Sequence, residues 1–67
     1  MDPRSAIAEL SALRTTLDEA VRRVEAIAEA YAQSPDSAVA SELFAAERSL
    51  IAAGRALRRA ARSLGGT

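Results

Sequence analysis

The stretch Ala32-Gln33-Ser34-Pro35-Asp36-Ser37 divides this chain of 67 residues into two helical halves. A residue that precedes proline is pushed out of the α-helical region of backbone conformations, so a helix coming from the N-terminus should end near Gln33 and Ser34. Proline fits the first turn of a helix because its missing N–H is not needed there, and serine before it is a residue type that caps helices. The stretch therefore predicts the end of one helix and the start of another at Pro35.

The N-terminus has a similar start signal, because Asp2 stands directly before Pro3. Apart from Gly54, nothing after these signals breaks a helix before Gly65. We expect helix 1 over residues 3–32, a turn at 33–34 and helix 2 over 35–63. A connection this short favours an antiparallel hairpin, with one continuous helix kinked at the proline as the alternative. The sequence thus predicts an all-α protein with a single domain over residues 1–67.

The composition excludes most kinds of catalytic chemistry. The chain has no cysteine, histidine, lysine or tryptophan, so disulfides, thiolate or imidazole nucleophiles, imidazole metal ligands and Schiff bases are all excluded. The remaining carboxylates have no neighbours in the sequence that would adjust their pKa for acid–base catalysis. We therefore predict that the protein is not an enzyme and that it has no catalytic residue, cofactor or metal site.

Two further features bear on localisation. The N-terminal residues lack a basic segment followed by an apolar run, which is the pattern of a secretory signal. No uncharged stretch approaches the ~20 apolar residues that cross a bilayer. We expect a cytoplasmic protein without membrane contact. Its abundant alanine, and arginine as the only basic side chain, are typical of a GC-rich bacterial genome.

Apolar residues recur every seven positions, as they do in coiled coils. Residues seven positions apart lie above one another on a helix, and we call such a row a column. The main columns are Leu10, Leu17, Val24 and Tyr31 in helix 1, and Leu43, Leu50, Leu57 and Leu64 in helix 2. The second columns are predicted to be Ala6, Leu13, Ala20 and Ile27, and Val39, Ala46, Ala53 and Ala60. Ile7 and Val21 widen the apolar face of helix 1 beyond two columns, which favours a bundle of more than two helices.

A single hairpin of this length offers little interior. One core in a chain this small rarely supplies more than about 3–5 kcal/mol, and only two of the 67 residues are aromatic. We therefore expect a homodimer in which two hairpins form a four-helix bundle, with two-fold symmetry as the commonest arrangement. The predicted dimer interface consists of Leu10, Leu17, Val24, Leu43, Phe44, Leu50, Ile51 and Leu57.

Charge is segregated along the chain even though nine arginines balance nine acidic residues. All nine acids lie within residues 1–47, whereas 48–67 contain five arginines and no acid. Four of these arginines have the spacing of one helix face, and we call them the arginine stripe: Arg55, Arg58, Arg59 and Arg62. Cations near a helix C-terminus also complement its dipole, and the stripe could pair with Glu9 of helix 1.

Guanidinium groups bind carboxylates and phosphates, so the arginine stripe is the predicted partner-binding surface. The sequence favours a small regulator or adaptor that docks on a larger protein. The alternative is a regulator that binds nucleic acid or a nucleotide through the same stripe. No aromatic residue lies among these arginines to stack on bases, which disfavours that alternative.

Overall fold

The computed structural model describes residues 1–65 and shows two helices that pack against each other. Helix α1 spans Pro3–Ala32 and helix α2 spans Ser37–Leu64. The predicted helical hairpin is confirmed, and the single kinked helix is excluded. The first helix has the expected bounds, whereas the second begins two residues later than expected. The last two residues of the domain predicted over 1–67 lie outside the described residues.

Asp2 starts α1 in the way that the sequence predicts. Its backbone is extended, with φ −60° and ψ 135°, and its carboxylate accepts the backbone N–H of Ser5 at 3.2 Å. Its carbonyl accepts the N–H of Ala6 at 2.9 Å, which begins the helical ladder. Pro3 occupies the first turn, where no donor is lost.

Ser34 closes the turn instead of capping α2. Its hydroxyl donates to the carbonyl of Tyr31 at 2.8 Å and accepts the N–H of Asp36 at 3.1 Å. The N-cap of α2 is Asp36, whose side chain makes no capping hydrogen bond. The expected helix start at Pro35 is therefore wrong: the Ser34 hydroxyl holds the chain in a turn through Asp36.

The hairpin is a thin rod of 50 × 15 × 15 Å. Its radius of gyration is 15.3 Å, compared with about 11 Å for a compact domain of the same length. The helices meet along a strip of buried and half-buried residues that we call the seam. On α1 the seam contains Ile7, Leu10, Arg14, Leu17, Val21, Val24 and Ala28, and on α2 it contains Ala40, Leu43, Glu47, Leu50, Gly54, Leu57 and Ala61.

The better-covered second columns lie one residue after the predicted ones, although Ala6 and Ala20 of the predicted α1 column are half-buried as well. On α2, Val39 is 44% exposed whereas Ala40 is 3% exposed. On α1, Leu13 is 48% exposed whereas Arg14 is half-buried. The prediction selected the columns without charge because charged residues are rarely buried. The seam accommodates Arg14 because it is only half-buried, and a long side chain can bury its stem while its charged end stays near water.

Only small side chains are fully covered. Ala28 and Ala40 are the buried residues of the core, and no bulky side chain within residues 1–65 is fully buried. Tyr31 and Leu64, at the two ends of the leucine-rich columns, are 41% and 42% exposed. One copy of the chain therefore has a contact strip but almost no interior.

We expect Asp2→Ala to lower the free energy of unfolding by about 1 kcal/mol, because the N–H of Ser5 loses its acceptor. Asp36→Ala is the matched control, since it removes the same charge beside a helix N-terminus where the side chain makes no capping hydrogen bond. Urea denaturation followed by circular dichroism measures both losses. Equal losses would show that the charge, and not the hydrogen bond, stabilises the helix start.

Candidate interaction surfaces

The seam has two flanks, formed by the residues beside it on each helix. Asp18 of α1 lines one cavity together with Ile51 and Arg58 of α2, so these three residues lie on the same side of the seam. Their columns form what we call the polar flank: Ser11, Asp18 and Glu25 of α1, and Phe44, Ile51 and Arg58 of α2. The remaining neighbours of the seam must lie on the opposite side. They form the apolar flank: Ala6, Leu13, Ala20, Ile27, Val39, Ala46, Ala53 and Ala60.

The apolar flank contains no charged or polar side chain. Its three bulky members, Leu13, Ile27 and Val39, are between 44% and 49% exposed. The rest are alanines, and α2 contributes three of them in succession along its column. Two of the bulky side chains, both on α1, thus lie beside a column of α2 that is mostly alanine. Exposed apolar surface without charged neighbours in its columns is typical of a protein–protein contact.

The polar flank contains a cavity of about 150 Å³. Arg14 and Gly54 lie in the seam at this level, and both interrupt otherwise largely apolar columns. A Cβ atom built on Gly54 would have no atom within 4 Å, so the missing side chain leaves open space. The cavity is lined by Arg14, Asp18, Leu50, Ile51, Gly54, Arg55 and Arg58.

Nearer the turn, the same flank carries a group of carboxylates around Glu47. This residue is half-buried, and its Oε2 atom is shielded from solvent without a hydrogen-bond partner. The neighbouring Glu25 carboxyl raises the pKa of Glu47 most, since two carboxyl groups can share a hydrogen bond only if one of them is protonated. Burial and the negative charges of Glu25 and Glu29 raise this pKa further, and Arg48 lowers it.

The arginine stripe lies on the surface, with all four residues exposed. Two of them, Arg55 and Arg58, line the cavity on the polar flank, whereas Arg59 and Arg62 do not. Arg62 lies in the last turn of α2, where its charge complements the helix dipole. The stripe is therefore divided between a recessed part and an open part.

The residues predicted for the dimer interface fall into two groups. Phe44 and Ile51 lie on the polar flank, where the first is half-buried and the second is 38% exposed. The other six lie half-buried in the seam of a single chain: Leu10, Leu17, Val24, Leu43, Leu50 and Leu57. They already join the two helices of one copy, and each keeps part of its surface open.

Sequence reasoning missed Arg14, Gly54 and Glu47 as features of a site. A signal was present, because counting by sevens from Ile7 reaches Arg14, and counting by sevens from Ala40 reaches Glu47 and then Gly54. Charged residues or glycine in a seam column mark places where packing is interrupted.

Comparison with protein-family models, with curated proteins and with solved structures gives no match for this chain. Neither described helix is long and apolar enough to span a membrane. Within residues 1–65, no group of three or more acidic side chains is arranged to hold a metal ion.

The raised pKa of Glu47 predicts a pH dependence of stability. In the pH range between its ordinary value of 4.5 and its higher value in the folded state, the folded chain binds more protons than the unfolded chain. The stability contributed by this group is therefore complete below pH 4.5 and is lost as the pH rises through the folded-state pKa.

In Glu47→Gln the side chain at this position is uncharged at every pH. We therefore expect this variant to melt at a higher temperature than the parent protein at pH 7, where Glu47 of the parent is mostly ionised. This difference should shrink towards pH 4. Glu19→Gln is the control because Glu19 is exposed on the outer face of α1. Thermal melts across this pH range measure the effect, and an equal gain in both variants would contradict the assignment to Glu47.

Proposed function

We propose that this chain is a non-enzymatic protein–protein interaction module that acts as a homodimer and docks on a larger protein as a small regulator or adaptor. Two hairpins would form a four-helix bundle. The main support is the near absence of an interior in one copy, where Ala28 and Ala40 are the buried core of residues 1–65. A second pair of helices would supply the missing cover for the half-buried leucines.

One copy exposes more surface than a compact protein of its mass. The hairpin exposes 4910 Å², whereas a compact monomer of 7.0 kDa exposes about 4,000 Å². The excess of about 900 Å² is close to the roughly 800 Å² that each partner contributes to a standard protein interface. Pairing through one flank would therefore bring the surface of each copy to the value expected for its mass.

The apolar flank is the better candidate for the contact with a second copy. It can be buried without removing a charge from water, and Leu13 and Ile27 can pack against the alanines that α2 presents on the same flank of the partner. Pairing through the polar flank would desolvate the carboxylates around Glu47 and the arginines of the cavity, which is costly unless each charge finds a partner. Phe44 would lie outside the preferred contact.

A single substitution on the apolar flank should produce a monomer. Ala53→Glu would place an unpaired carboxylate in the interface, which costs enough free energy to abolish the dimer. The matched control is Ala52→Glu, because Ala52 is the preceding residue, is also exposed in one copy and lies on the outer face of α2. Analytical ultracentrifugation at micromolar concentration should show dimers for the parent and Ala52→Glu, and monomers for Ala53→Glu.

Two results would contradict this arrangement. A monomeric parent protein, with a melting temperature independent of concentration, would show that the homodimer does not form. A dimer that survives Ala53→Glu but dissociates in Phe44→Ala would move the interface to the polar flank.

The arginine stripe supports the docking part of the proposal. All four of its residues are exposed, and no acidic residue follows Glu47 in the chain. A partner with an acidic surface is complementary to such a stripe, because guanidinium groups form paired hydrogen bonds with carboxylates.

The immobilised dimer should retain protein from a cell extract, and Arg59→Glu combined with Arg62→Glu should release it. Arg4→Glu combined with Arg22→Glu makes the same change of charge on α1 and should leave retention unchanged. If nuclease treatment removes the retained material, the stripe binds nucleic acid and the docking proposal is wrong.

A further inference from the structure

Cationic side chains from both helices line the cavity on the polar flank. Arg14 reaches it from α1, and Arg55 and Arg58 reach it from α2. Asp18 is the one acidic residue of the lining, while Leu50 and Ile51 provide apolar walls. A site built from two helices is more restrictive than a stripe along one helix, because a ligand must fit between them.

Gly54 keeps this cavity open. In the interior of a helix, glycine is about 1 kcal/mol less favourable than alanine. A Cβ atom here would meet nothing within 4 Å, so no steric clash requires the glycine. Its effect is to leave space opposite the half-buried Arg14, which does not fill it.

The charge of the lining selects the type of ligand. Three arginines and one aspartate give a net charge of +2. A phosphomonoester carries about −1.5 to −2 at neutral pH, whereas a carboxylate carries only −1. Guanidinium groups also bind phosphate oxygens through paired hydrogen bonds.

The volume and the apolar walls limit what else the ligand contains. About 150 Å³ corresponds to roughly five water molecules at ~30 Å³ each. This space accepts a phosphate group with one small substituent. Leu50 and Ile51 favour an apolar substituent.

We propose that this cavity binds a small phosphomonoester with an apolar substituent, its phosphate held by Arg14, Arg55 and Arg58. The cavity lies on the flank opposite to the apolar flank, so a second copy packed against the apolar flank would leave the cavity open. Phenyl phosphate is a suitable probe because it combines a dianionic phosphate with a compact apolar group.

Titration of the full chain with phenyl phosphate, followed by the backbone amide resonances in NMR, tests the proposal. We expect saturable shifts centred on Gly54 and its neighbours in α2. Inorganic phosphate should bind more weakly because it lacks the apolar group, and benzoate should bind more weakly because it has a single charge. Affinity should fall as the pH drops below about 6, where the phosphate dianion takes up a proton and becomes a monoanion.

Gly54→Leu separates binding from folding. Leucine would fill the open space and replace a helix-disfavouring residue, so the melting temperature should be equal to or above that of the parent while binding is lost. Arg58→Gln should weaken binding at least about tenfold, since it removes a hydrogen-bonding charge. Its matched control is Arg59→Gln, the neighbouring exposed arginine outside the lining, which should bind as the parent does.

Asp18→Asn should strengthen binding by about two- to fivefold, because it removes the carboxylate that repels the phosphate. Equal weakening in Arg58→Gln and Arg59→Gln, or unchanged binding in Gly54→Leu, would show a diffuse attraction to the helix surface and overturn the proposal. The absence of saturable binding would also overturn it. Equal affinities for phenyl phosphate and inorganic phosphate would show that the cavity does not recognise the apolar substituent, and would overturn that part of the proposal.

Discussion

A hairpin of two helices can cover a side chain from one side only, and most features of this protein follow from that constraint. The seam is a single strip, so a residue is buried only where the helices come close and the side chain is small, as at Ala28 and Ala40. A leucine in the same strip extends past the contact and stays half-buried. The open sides of such a structure add little to its stability, because the burial of apolar surface is the main source of folding free energy.

The position of the charged residues decides which side of the hairpin is free of charge. The helices place the columns of Arg14 and Glu47 in the seam, where these side chains are half-buried. A rotation of each helix by about half a residue would turn the apolar flank into the hairpin and move both charges out of the seam. One copy would then be better covered, but it would lose the charge-free face. The observed packing therefore leaves the hairpin incompletely covered and keeps a surface that can be buried without desolvating ions.

The sequence predicted the elements of the fold well because their signals are local. Pro35 and its neighbours mark the break, Asp2 marks the first cap, and the recurring leucines identify the face on which the helices meet. The rotation of each helix about its axis was predicted less well. Apolar residues on both sides of the leucine columns leave that rotation undetermined, and only the packing of both helices shows that the seam includes Ala40 and not Val39.

The candidate sites were predicted only in part, for a related reason. The arginine stripe is visible in the spacing of a single helix, whereas the cavity requires Arg14 of one helix to lie near Gly54 of the other. That pairing depends on where the turn places the two helices relative to each other. The shape of this turn depends on the hydrogen bonds of the Ser34 hydroxyl. The sequence predicts Ser34 as a helix cap and gives no sign of these bonds.

The two flanks are separate in space but linked in free energy. A ligand in the cavity would contact α1 and α2 together and would stabilise the closed hairpin, by about 2.7 kcal/mol at a concentration one hundred times its dissociation constant. The apolar flank exists as one surface only while the helices are paired, because each helix supplies half of it. Binding at the cavity would therefore favour assembly at the opposite flank without any contact between the two sites, and assembly would strengthen binding by the same factor. For a chain with so little interior of its own, a free energy of this size is a large part of what holds it folded.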